Sequence, residues 1–172
     1  MIRIFFTLLI VAMCLTVKAQ YISPTDLLHM NALWQINDPH CDKNTYDYLM
    51  TVDSSWIPRS KPTIDDKGYM SIIGYTKDHK NWYLPTEEMI TLAIERGTVK
   101  KSLSYRFTDP NTWAKYNKQM MDMNATKLGS APSNGGQQTI YQVNDIGFVL
   151  TEYPPGIKGD DRTFEVTLLK GD

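Results

Sequence analysis

The first place in this sequence where chemistry is conceivable is "HCD", His40 to Asp42, which runs directly into a stretch with helical spacing; His79 follows further along. A cysteine just ahead of a helix, near an imidazole, has the setting that lowers a thiol pKa and makes a nucleophile. The neighbours do not support that use. No glycine-rich turn exposes Cys41, and the flanking residues lack the pattern of a cysteine hydrolase. Cys41 therefore reads first as a small buried hydrophobe, and a small enzyme or ligand carrier centred on Cys41 and His79 is the alternative.

Metal chemistry fares no better. His40, Cys41, Asp42 and His79 make neither a C-x-x-C nor an H-x-x-x-H, the spacings that structural zinc uses. The carboxylate pairs Asp65–Asp66, Glu87–Glu88 and Asp160–Asp161 stand next to glycine, proline or lysine. They suit solvated turns better than a calcium loop or an acid–base dyad. No metal and no cofactor is expected, and the chain reads as non-enzymatic.

Aromatic residues with a polar tip are the stronger lead. Tyr69 and Tyr75 share one face of a strand-like segment, Trp82 and Tyr83 sit together, and Tyr141 and Tyr153 recur later. Rings of this kind supply contact area at protein interfaces while the hydroxyl or indole N–H stays hydrogen-bonded. The competing reading is that they complete the core or cover strand edges.

Two similar helix starts must position these residues. "DKNTYDYLM" from Asp42 and "DPNTWAKYN" from Asp109 share Asp, Asn and Thr in step. An N-cap aspartate accepts from the N–H groups of the first turn, which lack intrahelical partners. The pair thus marks two helices rather than two halves of a site. An earlier helix is predicted from Ser23 and Pro24 to near Gln35, with Leu27, Met30 and Trp34 on one stripe.

Strand-like segments follow each marked helix. "GYMSIIGYT" and "NWYL" precede a predicted hairpin of "EMITLAIER" and "KKSLSYRFT" around Gly97; a helix capped by Pro85 and Thr86 is its alternative. After the helix at Asp109 with its Trp113, Tyr116, Met120 and Met123 stripe, Ser130 to Gly136 reads as a loop. "QTIYQV", "GFVLTEY" and "RTFEVTLL" then read as three strands. The expected fold is α+β: an N-terminal helix followed by two tandem helix-plus-antiparallel-sheet units, 20–108 and 109–172, packed as one domain.

Residues 1–19 read as a secretory signal peptide, with Arg3 before an apolar run and cleavage expected between Ala19 and Gln20. The run ends at Lys18, too soon to span a bilayer. "VAMC" raises lipidation at Cys14 as the less favoured alternative, Met13 being large for that position. Cleavage at Ala19 leaves about 150 residues, a single-domain length, with Cys41 as the only cysteine and no intramolecular disulfide. The whole sequence has net charge −1, and losing Arg3 and Lys18 makes it more acidic. With no basic cluster, neither nucleic acid nor an anionic membrane is an expected partner.

The order of helix, loop and antiparallel strands, repeated after a leader, resembles the β-lactamase-inhibitor-protein-like and PepSY-like group of small bacterial envelope proteins. The resemblance is architectural and covers about residues 40–172. It implies that the sheet face binds another protein. The expectation is an exported, periplasmic, protein-binding protein of inhibitor or toxin-immunity type, partnered by a toxin or an envelope enzyme; a structural subunit of an envelope complex is a further alternative.

Overall fold

The structure, a computed structural model, describes residues 21–34, 41–58, 71–76, 88–95, 100–158 and 161–170. Helix α1, Pro24–Leu33, starts as its sequence requires. The Asp26 N–H donates to the Ser23 hydroxyl at 3.1 Å, and the Ser23 N–H donates back to the Asp26 carboxylate at 2.8 Å. This capping box satisfies donors the helix cannot reach, and Pro24 occupies the first-turn position where its missing N–H costs nothing. The helix stops at Trp34, close to the predicted end, and buries Leu27 and Met30.

Helix α2 is Cys41–Val52 and helix α3 is Pro110–Asp122. The aspartates of the shared motif stand at different places relative to their helices. Asp109 precedes α3 and accepts from the Asn111 and Thr112 N–H groups at 3.1 and 3.0 Å. Asp42 lies inside α2, which already includes Cys41, so it does not occupy the equivalent cap position.

The strands are β1 (Ile57–Pro58), β2 (Ser71–Thr76), β3 (Glu88–Glu95), β4 (Lys100–Phe107), β5 (Thr126–Ser133), β6 (Gly136–Val143), β7 (Ile146–Tyr153) and β8 (Thr163–Lys170). All pair antiparallel in one sheet of order β1-β2-β3-β4-β8-β7-β6-β5. The chain therefore makes an α+β fold in which β1–β4 and β5–β8 meet at their last strands. The segment "EMITLAIE" is a strand paired with β4, Ile90 opposite Tyr105, and is not the alternative helix. The predicted strand "NWYL" lies outside the described residues.

One prediction fails outright. Residues 130–133, read as loop, belong to β5, so four strands rather than three follow α3. Six of the eight β5 residues are exposed; an edge strand with no buried face carries no apolar alternation to read. Only the tip is a turn, where Asn134 and Gly135 take φ of 51° and 80°, the conformation of a tight hairpin.

Along β4 and β8 the side chains alternate between two environments. Leu103, Tyr105 and Phe107 pair with Leu168, Val166 and Phe164, all buried in one cluster with Ile22, Leu27, Met30, Leu49, Tyr116 and Met120 from the helical side. Trp113 stacks on Phe164 (centroids 4.9 Å apart) and Phe107 on Tyr116 (5.6 Å). Aromatic pairs in such offsets add about 0.5–1.5 kcal/mol beyond their area.

Tyrosine hydroxyls then tie α1 into place. Tyr116 donates to the buried Ile22 carbonyl, and Tyr48 donates to Asp26 at 2.7 Å. Burial raises both phenols, Tyr116 well above its ordinary value and Tyr48, with Asp26 adding to it, to about 12. Burial, and then the neighbouring Glu88 carboxylate, also push Tyr105 well above its ordinary value.

Candidate protein-binding face

The residues between those core positions define the opposite face of the sheet. Directly opposed residues of an antiparallel pair lie on the same face. The register therefore aligns Arg106 with Glu165 and Thr151, and Thr91 with Ser104, Thr167 and Val149. At the seam of the two strand runs, these side chains form a connected polar group. The Arg106 Nε and Nη2 atoms both donate to Glu165 Oε2, at 3.0 and 2.8 Å. Glu165 Oε1 accepts from the Thr167 hydroxyl at 3.4 Å, and that hydroxyl lies 3.1 Å from the Ser104 hydroxyl.

The ion pair is only partly open to water, its side chains being 20% and 15% exposed. A charge-assisted pair in that setting is stronger than a surface pair and is held in one geometry. Tyr153 stands beside it. Its phenol pKa is raised, by burial first and then by the Glu165 charge, while Arg106 and a hydrogen bond with Thr151 pull the other way. The Lys158 ammonium sits 5.1 Å above the centre of the Tyr153 ring.

Of the aromatic residues that the sequence put forward, Tyr69, Trp82 and Tyr83 lie outside the described residues. The backbone of Tyr75 pairs with Ile90. Tyr141 is half-buried against the core and pairs with the buried Phe148, whereas Tyr153 pairs with Thr163 on the other face and is 4% exposed. Tyr141 and Tyr153 therefore share no exposed surface. The reason for the second is local: a Cβ on Gly136 would fall 2.9 Å from the Tyr153 ring, so that ring lies across bare glycine backbone. An aromatic side chain covering a cross-strand glycine is a packing device of sheets.

Sequence reasoning missed Ser104, Arg106, Glu165 and Thr167. Their signal was present in the alternation of "SLSYRF" and "TFEVTLL", whose polar members must share a face if the apolar ones do.

Both sheet edges are blunted. β1 has two residues, one of them Pro58, and β5 carries Lys127, Pro132 and a register shift between Lys127 and Gly129. Short length, proline, lysine and bulges are how sheets resist edge pairing.

Elsewhere, Glu152 and Arg162 pair at 3.0 Å beside a shallow polar depression lined also by Gly135, Gly136, Gln137 and Pro154. Its charges already satisfy each other at the surface. Cys41 is placed in the first turn of α2, and His40 and His79, like the cleavage site at Ala19 and Gln20, are outside the described residues. Among the described residues no three His, Cys, Asp or Glu side chains gather as a metal site, and no helix is long and apolar enough to cross a membrane.

Comparison with protein-family models, curated proteins and solved structures gives no match. The functional reading rests on the geometry of this chain alone.

Proposed function

We propose that this protein binds another protein through the face of its sheet opposite the helices, centred on the partly exposed Arg106, Glu165, Ser104 and Thr167, and acts without catalysis, as an inhibitor or immunity protein of the envelope does. Export to the periplasm by the leader belongs to the same proposal, as does descent of the two strand runs from one duplicated helix-and-sheet unit. The observation that carries the reading is the contrast between the helix-covered face and a half-buried polar network at the seam. Solubility alone does not require such a network, because scattered surface polar residues serve that purpose.

The blunted edges support the face over strand addition as the docking route. Leu169, 45% exposed and in register with Ser102 and Gly147, supplies apolar area on the same face. The proposed interface is thus a polar centre with apolar margin.

The test is affinity capture from the native host with three forms of the mature chain: wild type, Thr167→Arg on the face opposite the helices, and Asp122→Arg on the exposed side of α3. The expected result is one protein retained by wild type and Asp122→Arg and lost with Thr167→Arg, all three being folded. Equal retention by all three forms contradicts the reading.

A further inference from the structure

Asn124, Asn134 and Asn144 each adopt positive φ, at 53°, 51° and 55°, the left-handed conformation that asparagine tolerates in turns. At the first of them the turn closes α3. The Asn124 N–H donates to the Met121 carbonyl and the Ala125 N–H to the Met120 carbonyl, both at 3.0 Å. This bonding uses the backbone alone. The Asn124 carboxamide and the Thr126 hydroxyl make no hydrogen bond with any described residue, and both residues are exposed.

Of the asparagines in this sequence, Asn124 alone has a serine or threonine two residues on, with Ala125 and not proline between them. The turn itself does not call for that threonine, because Asn134 and Asn144 make left-handed turns without one. Asparagine, any residue but proline, then serine or threonine is the acceptor pattern for N-linked glycans on exported chains. Asp122, also exposed, stands two residues ahead of Asn124, where the glycan transferases of bacterial envelopes take a carboxylate. The segment is open to such an enzyme. Asp122 ends α3, Thr126 begins β5 at the margin of the sheet, and Met121 and Leu128 on either side are 68% and 59% exposed.

We infer that Asn124 is an N-glycosylation site. Its Nδ2 attacks the anomeric carbon, C1, of a lipid-diphosphate-linked oligosaccharide. The C1–Nδ2 bond forms and the C1–O bond to the diphosphate breaks; the lipid diphosphate leaves with the electron pair, and a carboxylate of the transferase accepts the amide proton. This rests on the export reading, since donor and transferase act on exported chains, and is independent of the sheet face.

The test is mass spectrometry of the chain purified from its native host, intact and after trypsin, which cuts at Lys118 and Lys127 and releases residues 119–127 as one peptide. In wild type that peptide is expected to carry the mass of an oligosaccharide, on a chain from which the leader has been removed. The added mass should persist in Thr126→Ser. It should be absent in Asn124→Gly, which keeps the left-handed turn, in Thr126→Val and in Asp122→Ala.

An unmodified 119–127 peptide on a chain that has lost its leader, or added mass retained in any of the last three variants, overturns the inference and leaves export standing. An unmodified chain that still begins at Met1 overturns export and glycosylation together.

Discussion

The same two strands, β4 and β8, present two different surfaces. On one, Leu103, Tyr105, Phe107, Phe164, Val166 and Leu168 are closed against the helices. On the other, one residue out of step, Ser104, Arg106, Glu165 and Thr167 form a hydrogen-bonded group that water still reaches. Interleaved residues of one segment thus make an apolar core on one side and a hydrogen-bonded polar group on the other. Substitutions on the two faces should therefore have separable consequences.

The largest effect is expected on the closed face. Phe107→Ala removes a ring that contacts Tyr105, Tyr116, Trp113 and Phe164. It should cost about 3–5 kcal/mol, seen as a lower midpoint in urea unfolding, with any loss of binding following from loss of fold.

On the opposite face Arg106→Ala leaves the Glu165 carboxylate in a partly desolvated site without its counter-charge. A loss of about 1–3 kcal/mol is expected. Arg106→Leu combined with Glu165→Leu should recover most of that stability and still lack binding. Recovery of stability and binding together would break the contrast between the faces.

Gly136→Ala probes the margin. The added Cβ would lie 2.8 Å from the Glu152 carbonyl oxygen and 2.9 Å from the Tyr153 ring, so backbone or ring must move. About 1–2 kcal/mol of destabilisation is expected, with Tyr153 the side chain whose NMR environment changes most.

Asp109→Asn should have the smallest effect, about 0.5 kcal/mol or less at neutral pH, because asparagine also caps. The sign with pH is fixed by the carboxylate. Desolvation, the largest single influence, raises the Asp109 pKa, but the hydrogen bonds from Thr112 and Asn111 together outweigh it and hold the value below 3.8. The ionised carboxylate thus contributes stability that is fully present above 3.8 and is lost as pH falls through the lower folded value. The stability gap between wild type and Asp109→Asn should narrow on acidification in that range; urea midpoints at a series of pH values measure it.

Much of the fold was legible because buried segments advertise their period. The alternation of Ile90 and of Leu103, Tyr105 and Phe107 marked β3 and β4, and Pro110 after Asp109 marked α3. β5 was not legible, since "TKLGSAPS" has almost no buried side and its glycine, serine and proline read as loop. The site was half legible. Ring type suggested an interface at Tyr141 and Tyr153, but burial depends on tertiary neighbours: Phe148 beside one and Gly136 beside the other. The Arg106–Glu165 pair joins residues far apart in sequence, and only the β4–β8 register could identify it.

A protein partner is proposed to cover the sheet face opposite the helices. A photo-crosslinking residue placed at Leu169, exposed on that face, and separately at Met121, exposed on α3, tests it in cells that make the protein. One discrete protein adduct is expected from position 169 and none from position 121. An adduct from 121 alone, or none from 169 while the chain is folded and present, would contradict it.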